Sequence, residues 1–355
     1  MKHLLAQLAS GTPLTAAQAV EAFDLVMTGR ATPAQVGALL ALLALRGPTE
    51  DELVGAATVM RAQALPVPLP QFPGGLTVLD TCGTGGGGAG TFNISTSAGL
   101  IVAAVGRTRG VVVAKHGNRG VTSRSGSSQV LEELGVKIQV SPATLTRCLA
   151  EIGFCFCYAP AHHPAMKYAA AVRADLGFRT LFNLVGPLTN PAGATHQVLG
   201  VYDPALTGPI ARVLGRLGSR SVMVVHGRMS WSPGAAPTAA GLCELTTTGP
   251  TQISHLHQGI VTTSQLDART LGLSPADPAD LSAADPAASA RIVRAVLAGA
   301  KGAPRDIVRL NAAAALVVTG LAADLPAGLA LAAETLDSGA ARAVLESLIR
   351  ITAEA

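Results

Sequence analysis

The run from Asp80 to Thr96 limits what this chain can fold into more than any other stretch. It reads Asp-Thr-Cys-Gly-Thr-Gly-Gly-Gly-Gly-Ala-Gly-Thr-Phe-Asn-Ile-Ser-Thr, with five glycines among the six residues Gly83 to Gly88. Glycine loses more backbone freedom on folding than any other residue, so a run this dense needs a compensating use. Close approach of backbone to a ligand is such a use. Leu76 to Asp80 reads as a short buried strand, and Ser97 onwards reads as the start of a helix. Strand, glycine loop and helix N-terminus together cradle phosphate, because unpaired N–H groups and the helix dipole both favour an anion. Asn93, Ser95 and Thr96 add polar side chains at the helix mouth. The loop lacks the Gly-Lys-Ser/Thr ending of a P-loop, and its G-x-G-x-x-G spacing is met only because nearly everything in it is glycine. Flexible glycine linkers are Ser-rich and lie between domains; this run sits between two apolar segments.

A second polar loop follows. Val111 to Lys115 reads as a strand running into His116-Gly117-Asn118-Arg119, and Thr122 to Ser128 then lead into a helical stretch from Gln129. Lys115 is one of only five lysines. In an open parallel sheet, ligands bind beyond the carboxyl ends of the strands. Lysine meets phosphate there as a point charge, arginine as a fork. The two loops together predict a ligand with several phosphates and a sugar.

The first 64 residues read as helices. Thr15 with Gln18 has capping-box spacing, Thr32-Pro33 opens a second helix, and Thr49 with Glu50, Asp51 and Glu52 opens a third. The second helix is apolar almost all round, which predicts burial on several sides. Pro66, Pro68, Pro70 and Pro73 mark a linker. Beyond it, short apolar strands such as Gln197–Tyr202 and Ser221–His226 alternate with helical stretches. The predicted fold is a small N-terminal α-helical domain, residues 1–72, and a large α/β domain, residues 73–355. The latter has a mostly parallel central sheet flanked by helices.

With 355 residues and a formal charge of +4, the chain suits a polyanionic small molecule and not nucleic acid. No apolar run reaches the length of a membrane span, and the N-terminus carries no signal peptide, so the cytoplasm is expected. Five irregularly spaced cysteines form neither a disulfide framework nor a zinc pattern. Cys155 and Cys157 alternate along the expected strand Phe154–Tyr158 and face one side.

Gly83-Thr-Gly-Gly86, Asn93-Ile-Ser-Thr96 and Lys115-His-Gly-Asn-Arg119 together resemble the anthranilate phosphoribosyltransferases. So do Pro160 to Lys167, Val172-Arg173 and Leu176 to Pro191. The resemblance runs from about Leu14 to about Thr352. It implies attack of the anthranilate amine on C1 of phosphoribosyl pyrophosphate, with magnesium pyrophosphate leaving, in tryptophan biosynthesis. It implies donor contacts from Gly83, Gly86, Gly87, Thr91, Asn93, Ile94, Ser95, Thr96, Lys115, His116, Gly117, Asn118, Arg119, Ser123 and Ser127. The anthranilate side would comprise Arg173 against the carboxylate, with Gly83, His116 and Asn118 nearby; His163 reads as a structural histidine. Ser95 and Glu244 are the implied Mg2+ ligands. A homodimer formed through the helical domain is also implied, with the outer side of the second helix as candidate surface, and part of 164–185 joins that domain.

Two positions depart from the family pattern. Gly87 stands where an acid is usual, and Cys243 stands where an Asp precedes Glu244. Thiol sulfur is a poor magnesium ligand, so one metal is expected to remain while a second, leaning on Glu244 alone, is weak. Residues 228–240 read as an insertion forming a mobile surface loop. Alternatives are a transferase or nucleoside phosphorylase of the same fold with another acceptor, and a non-catalytic paralogue.

Overall fold

A computed structural model describes residues 1–85, 90–120, 125–231 and 241–355. The chain opens with four helices, α1 (Lys2–Ala9), α2 (Ala16–Met27), α3 (Pro33–Arg46) and α4 (Glu50–Ala62). Thr15, Thr32 and Thr49 each cap the helix that follows with a complete capping box, so three entries are fixed by local sequence. The third box has a further role. Glu52 is fully buried and accepts from the Thr49 N–H at 2.7 Å, the Leu14 N–H at 3.0 Å and, on both oxygens, Arg46 Nη2 at 2.6 and 2.8 Å.

After the proline linker, strands and helices alternate. β1 (Thr77–Gly83), α5 (Ile94–Gly106) and β2 (Val111–Gly117) are followed by α6 (Ser127–Glu133), α7 (Pro142–Ile152) and β3 (Phe154–Tyr158). Then come α8 (Ala159–His162), α9 (Lys167–Leu176) and α10 (Leu181–Val185), before β4 (His196–Gly200), α11 (Thr207–Arg216) and β5 (Ser221–Gly227). The chain closes with the hairpin β6 (Thr251–His257) and β7 (Ile260–Leu266) and the helices α12 (Pro286–Leu297), α13 (Ala303–Val318), α14 (Leu325–Asp337) and α15 (Ala340–Ala353). The seven strands form one sheet in the order β3-β2-β1-β4-β5-β6-β7. The first five are parallel and the last two antiparallel. The order reverses at β1, whose neighbours are β2 on one side and β4 on the other. That is the switch point where a crevice opens at the carboxyl ends of the strands.

Central strands are buried on both faces, as parallel sheets require. On one face Leu79, Val113 and Val198 pack against α5, α13 and α15. On the other, Leu199, Val222 and Val224 share a core with Phe23, Leu39 and Leu43 of the helical bundle. α9 packs on α2 and α3, and α10 on α3 and α4, so the segment between β3 and β4 carries the sheet's edge into the bundle.

Several boundaries shift from the sequence-based expectation. β1 continues to Gly83, so the glycine run begins inside the strand, and α5 starts at Ile94, placing Ser95 and Thr96 in its first turn. α3 buries one face only. Val36, Leu39, Leu40 and Leu43 point inward, whereas Leu45 is 88 % exposed. Burial on several sides fails because α3 is at the outer edge of the bundle, with α1, α9 and α10 covering only part of its circumference. Cys155 and Cys157 do share a side, their sulfurs 3.8 Å apart, and none of the five cysteines forms a disulfide. Among the described residues no helix is long and apolar enough to cross a membrane. Residues 232–240 of the expected insertion loop lie outside the described residues.

Candidate functional site

A cavity of about 890 Å3 opens at the switch point, between the carboxyl ends of β1 and β2 and the helical segments α8 to α10. Its floor depends on absent side chains. Gly83 and Gly200 pair across β1 and β4, and the Cys243-Glu244 segment crosses directly over them. A Cβ on Gly200 would lie 1.6 Å from the Cys243 carbonyl oxygen, so only glycine lets this segment reach the cavity. Gly117 at the end of β2 is similar, since a Cβ there would lie 2.3 Å from Ser127 Oγ.

Lys115 is 2 % exposed at the C-terminal half of β2. Its Nζ donates to the Thr81 carbonyl and, at 3.3 Å, to Ser95 Oγ at the mouth of α5. Glu244 faces the same corner. Burial pushes its carboxyl up to about 7, against the opposing pull of Lys115 and of the Ser95 hydroxyl and N–H. A helix N-terminus, a buried cation and a desolvated carboxylate thus converge where phosphate or a hydrated cation would sit.

Behind Lys115 lies a buried network invisible to the motif reading. Asp80, fully buried, accepts from the His116 N–H at 3.0 Å and from Asn190 Nδ2 at 2.9 Å. Burial raises the Asp80 carboxyl, and Lys115 and these donors draw it back down. Asn190 Nδ2 also donates to the Ala114 carbonyl at 2.7 Å, and Gln197 Nε2 to the Pro187 carbonyl at 2.7 Å. The Gly186–Pro191 turn is thereby tied to the strand ends that carry the cavity. A carboxylate followed by a glycine run, with an Asn after Gly-Pro, was the available signal.

Two histidines line the opposite wall. The His116 and His163 rings are 5.1 Å apart, and both Nε2 atoms are buried with no hydrogen-bond partner. Burial and mutual repulsion lower His116 to about 3; burial and His162 lower His163 to about 4. Both are neutral at physiological pH. The Gly186 and Thr189 carbonyls near them favour a proton on the other nitrogen. Each Nε2 then presents a lone pair.

Arg173 on α9 completes the wall. It is half-buried, its guanidinium 5.3 Å from the Phe182 ring centroid, and burial lowers its pKa. Phe182 is held edge-on by Phe23 at 5.8 Å. No carboxylate pairs with Arg173 among the described residues. An unneutralised, desolvated guanidinium in a cavity wall is a receptor for a carboxylate.

The structure brings most of the expected site residues together. Gly83, Thr91, Asn93, Ser95, Lys115, His116, Gly117, Asn118, Arg119, Ser127, Arg173, Cys243 and Glu244 all line the one cavity. Ile94 and Thr96 do not: their side chains are 1 % and 0 % exposed and turn into the core beside β1. Helical geometry explains this, since in the first turn of α5 Ser95 faces the ligand side. Arg119 reaches the rim and pairs with Glu132 at 3.1 Å. Gly86, Gly87 and Ser123 lie outside the described residues. Met60, Met166 and Phe182 also line the cavity; the last two lie in the Pro160–Lys167 and Leu176–Pro191 motifs but, as apolar residues, read as core and not as site.

Comparison with known proteins agrees with this architecture. Residues 2–64 match the model of the glycosyl transferase family helical bundle domain, and residues 75–342 match that of the glycosyl transferase family a/b domain. The anthranilate phosphoribosyltransferase of Moorella thermoacetica is 47 % identical over 351 residues, covering 98 % of this chain and 97 % of that protein. The chain belongs to the anthranilate phosphoribosyltransferase family. The enzyme of Methylorubrum extorquens is 49 % identical, over 99 % of this chain and 98 % of that protein. The crystal structure of the family member from Thermus thermophilus superposes with a TM-score of 0.87 at 38 % identity, over 98 % of this chain and 99 % of that one. The Saccharomyces cerevisiae member, solved in complex with PRPP and Mg, gives a TM-score of 0.85 at 26 % identity, over 99 % of this chain and 98 % of that one.

Proposed function

We propose that this chain transfers the phosphoribosyl group of phosphoribosyl pyrophosphate to the amine of anthranilate, in tryptophan biosynthesis. The observation that carries the reading is the pairing of two anion receptors across one cavity. Lys115 and the α5 mouth suit a polyphosphate, and Arg173, with no acid partner among the described residues, suits a carboxylate. Solved structures of the Saccharomyces cerevisiae relative in complex with PRPP and Mg and with 4-fluoroanthranilate support this substrate pair.

In the reaction the amine lone pair bonds to C1, the C1–O bond to pyrophosphate breaks, and its electron pair leaves with pyrophosphate. The nitrogen then loses a proton to solvent water. Little covalent help is needed; positioning and neutralisation of growing charge on the leaving group dominate. Lys115, the Asn93–Ser95 turn, Thr91 and Ser127 are assigned to the donor, together with Gly83, Gly117, Asn118 and Arg119 at the loop ends. Arg173 orients the acceptor through its carboxylate, and the neutral His116 and His163 leave room for an uncharged amine. Deprotonated Glu244 and the Ser95 hydroxyl supply hard oxygens, which fit Mg2+. The ion would offset negative charge on the pyrophosphate. Cys243 does not fit: its sulfur is soft and lies 3.6 Å from the Gly85 carbonyl and 3.9 Å from Thr84 Oγ1. One magnesium held by Ser95 and the donor's own phosphates, with a second, weaker one leaning on Glu244 alone, is the corresponding proposal.

The same reading divides the chain into a helical unit, residues 1–72 with part of 164–185, and an α/β unit, residues 73–355. Support comes from the core that α9 shares with α2 and α3. It also includes a homodimer through the outer face of α3, where Leu45 is bare, and a place in the cytoplasm. Mass spectrometry of the products tests the activity. N-(5-phosphoribosyl)anthranilate and pyrophosphate in equal amounts are expected. Cleavage of a pyrimidine nucleoside by phosphate, with no anthranilate product, would contradict the reading.

A further inference from the structure

Helix α13 lies behind the sheet and is apolar over most of its length, yet it buries Asn311 at 2 % exposure. Asparagine is a poor helix-interior residue because its amide competes for backbone partners. Burying that amide is costly unless each polar group is partnered. Here each one is. Oδ1 accepts from the Leu245 N–H at 3.0 Å; Nδ2 donates to the Leu245 carbonyl at 2.8 Å and to the Ile307 carbonyl at 2.9 Å. The side chain thus pairs with both backbone groups of one residue, as a neighbouring strand would. No named strand includes Leu245, so the sheet does not hold it.

Leu245 directly follows Glu244. On the near side, Gly227 and Leu242 exchange two backbone bonds of 2.8 Å each. On the far side, the Thr246 N–H reaches Thr251 Oγ1 at 3.0 Å. Cys243-Glu244 is the short span between these anchors. α13 also packs along α5, whose first turn carries Ser95. One helix therefore braces both sides of the corner where Glu244 meets Ser95 and Lys115.

We propose that Asn311 is a positioning residue for Glu244: its two-sided clamp on Leu245 sets where the Glu244 carboxylate stands relative to Ser95 and Lys115. The proposal rests on the phosphoribosyl-transfer reading, because Glu244 matters to turnover only there. Leucine at 311 keeps the branched shape and the number of heavy atoms but is bulkier and has no amide; aspartate keeps the size and the acceptor for the Leu245 N–H and loses the donor to its carbonyl.

The test is a double-mutant cycle in the full chain with Asn311→Leu, Glu244→Gln and the pair, read as turnover and as Mg2+ binding by calorimetry with phosphoribosyl pyrophosphate present. Asn311→Leu is expected to lower kcat about tenfold and weaken Mg2+ binding about fivefold. With Glu244→Gln already present, the same change should cost less than about twofold in either quantity, because the clamp has nothing left to position. Asn311→Asp should fall between wild type and Asn311→Leu. Equal losses in both backgrounds would overturn the proposal by assigning Asn311 to the core alone, as would unfolding of both Asn311 variants. If wild type itself fails to turn over, the phosphoribosyl-transfer reading fails first, and the calorimetric cycle still decides whether the two residues are coupled.

Discussion

Arg173 lies half-buried over the face of Phe182 with no carboxylate beside it among the described residues, and its proposed role is to grip the carboxylate of the acceptor. Charge-assisted bonds of this kind are worth about 1.5–3 kcal/mol. Arg173→Gln is therefore expected to raise the anthranilate KM about 10- to 100-fold and leave the donor KM within about twofold; equal loss for both substrates would place Arg173 elsewhere in the cycle. Cys243 sits one residue from Glu244 with a sulfur where a hard oxygen would serve magnesium better. Cys243→Asp should bring half-maximal activation to a lower Mg2+ concentration, and an unchanged activation curve would rule out a metal role for this position. His163 titrates near 4 in the fold, well below its ordinary value near 6.5, because of burial. Between those values the unfolded chain binds a proton that the native chain does not, so stability rises with pH across that window. His163→Asn should flatten the difference in denaturation midpoint between about pH 5 and about pH 7.5; an unchanged difference would mean that His163 takes up its proton in the fold.

At the scale of elements, legibility followed the locality of the cause. The capping boxes at Thr15, Thr32 and Thr49 are contained in four residues each, and all three helices begin where those residues place them. Gly83 and Lys115 were readable because chemistry and strand end coincide in one motif. The clamp of Asn311 on Leu245 and the link from Asp80 to Asn190 were not, because each joins segments far apart in sequence that only the folded sheet brings together. Ile94 and Thr96 differ from Ser95 for a related reason: a motif names consecutive residues, but a helical turn aims only some side chains at a ligand, and these two have only backbone N–H groups to offer at the helix mouth. The buried hub at Glu52 is a whole-element feature of this kind. Arg46→Met leaves the Glu52 carboxylate without its cationic partner and is expected to cost about 2–3 kcal/mol of stability. Thermal unfolding reads this directly, and an unshifted midpoint would show the pair to be dispensable.

Across the whole molecule, the helical bundle and the α/β sheet meet along the cavity, so the wall proposed for the acceptor comes from α9 and α10 and the wall proposed for the donor from β1, β2 and α5. Arg61 on α4 ties the two across the interface, donating to the Leu188 and Leu217 carbonyls at 2.7 Å each. On the outer surface of the bundle, Leu45 at 88 % exposure marks the face proposed to meet a second copy. Leu45→Glu is expected to shift the sedimentation coefficient from that of a dimer towards that of a monomer; a wild-type chain that sediments as a monomer would remove that proposal. The activity itself is tested most directly by following the loss of anthranilate fluorescence with phosphoribosyl pyrophosphate present, across a magnesium titration. Fluorescence should fall with time in a magnesium-dependent manner and stay constant when the donor is left out. Constant fluorescence at every magnesium concentration, in folded protein that still binds the donor, would contradict phosphoribosyl transfer to anthranilate.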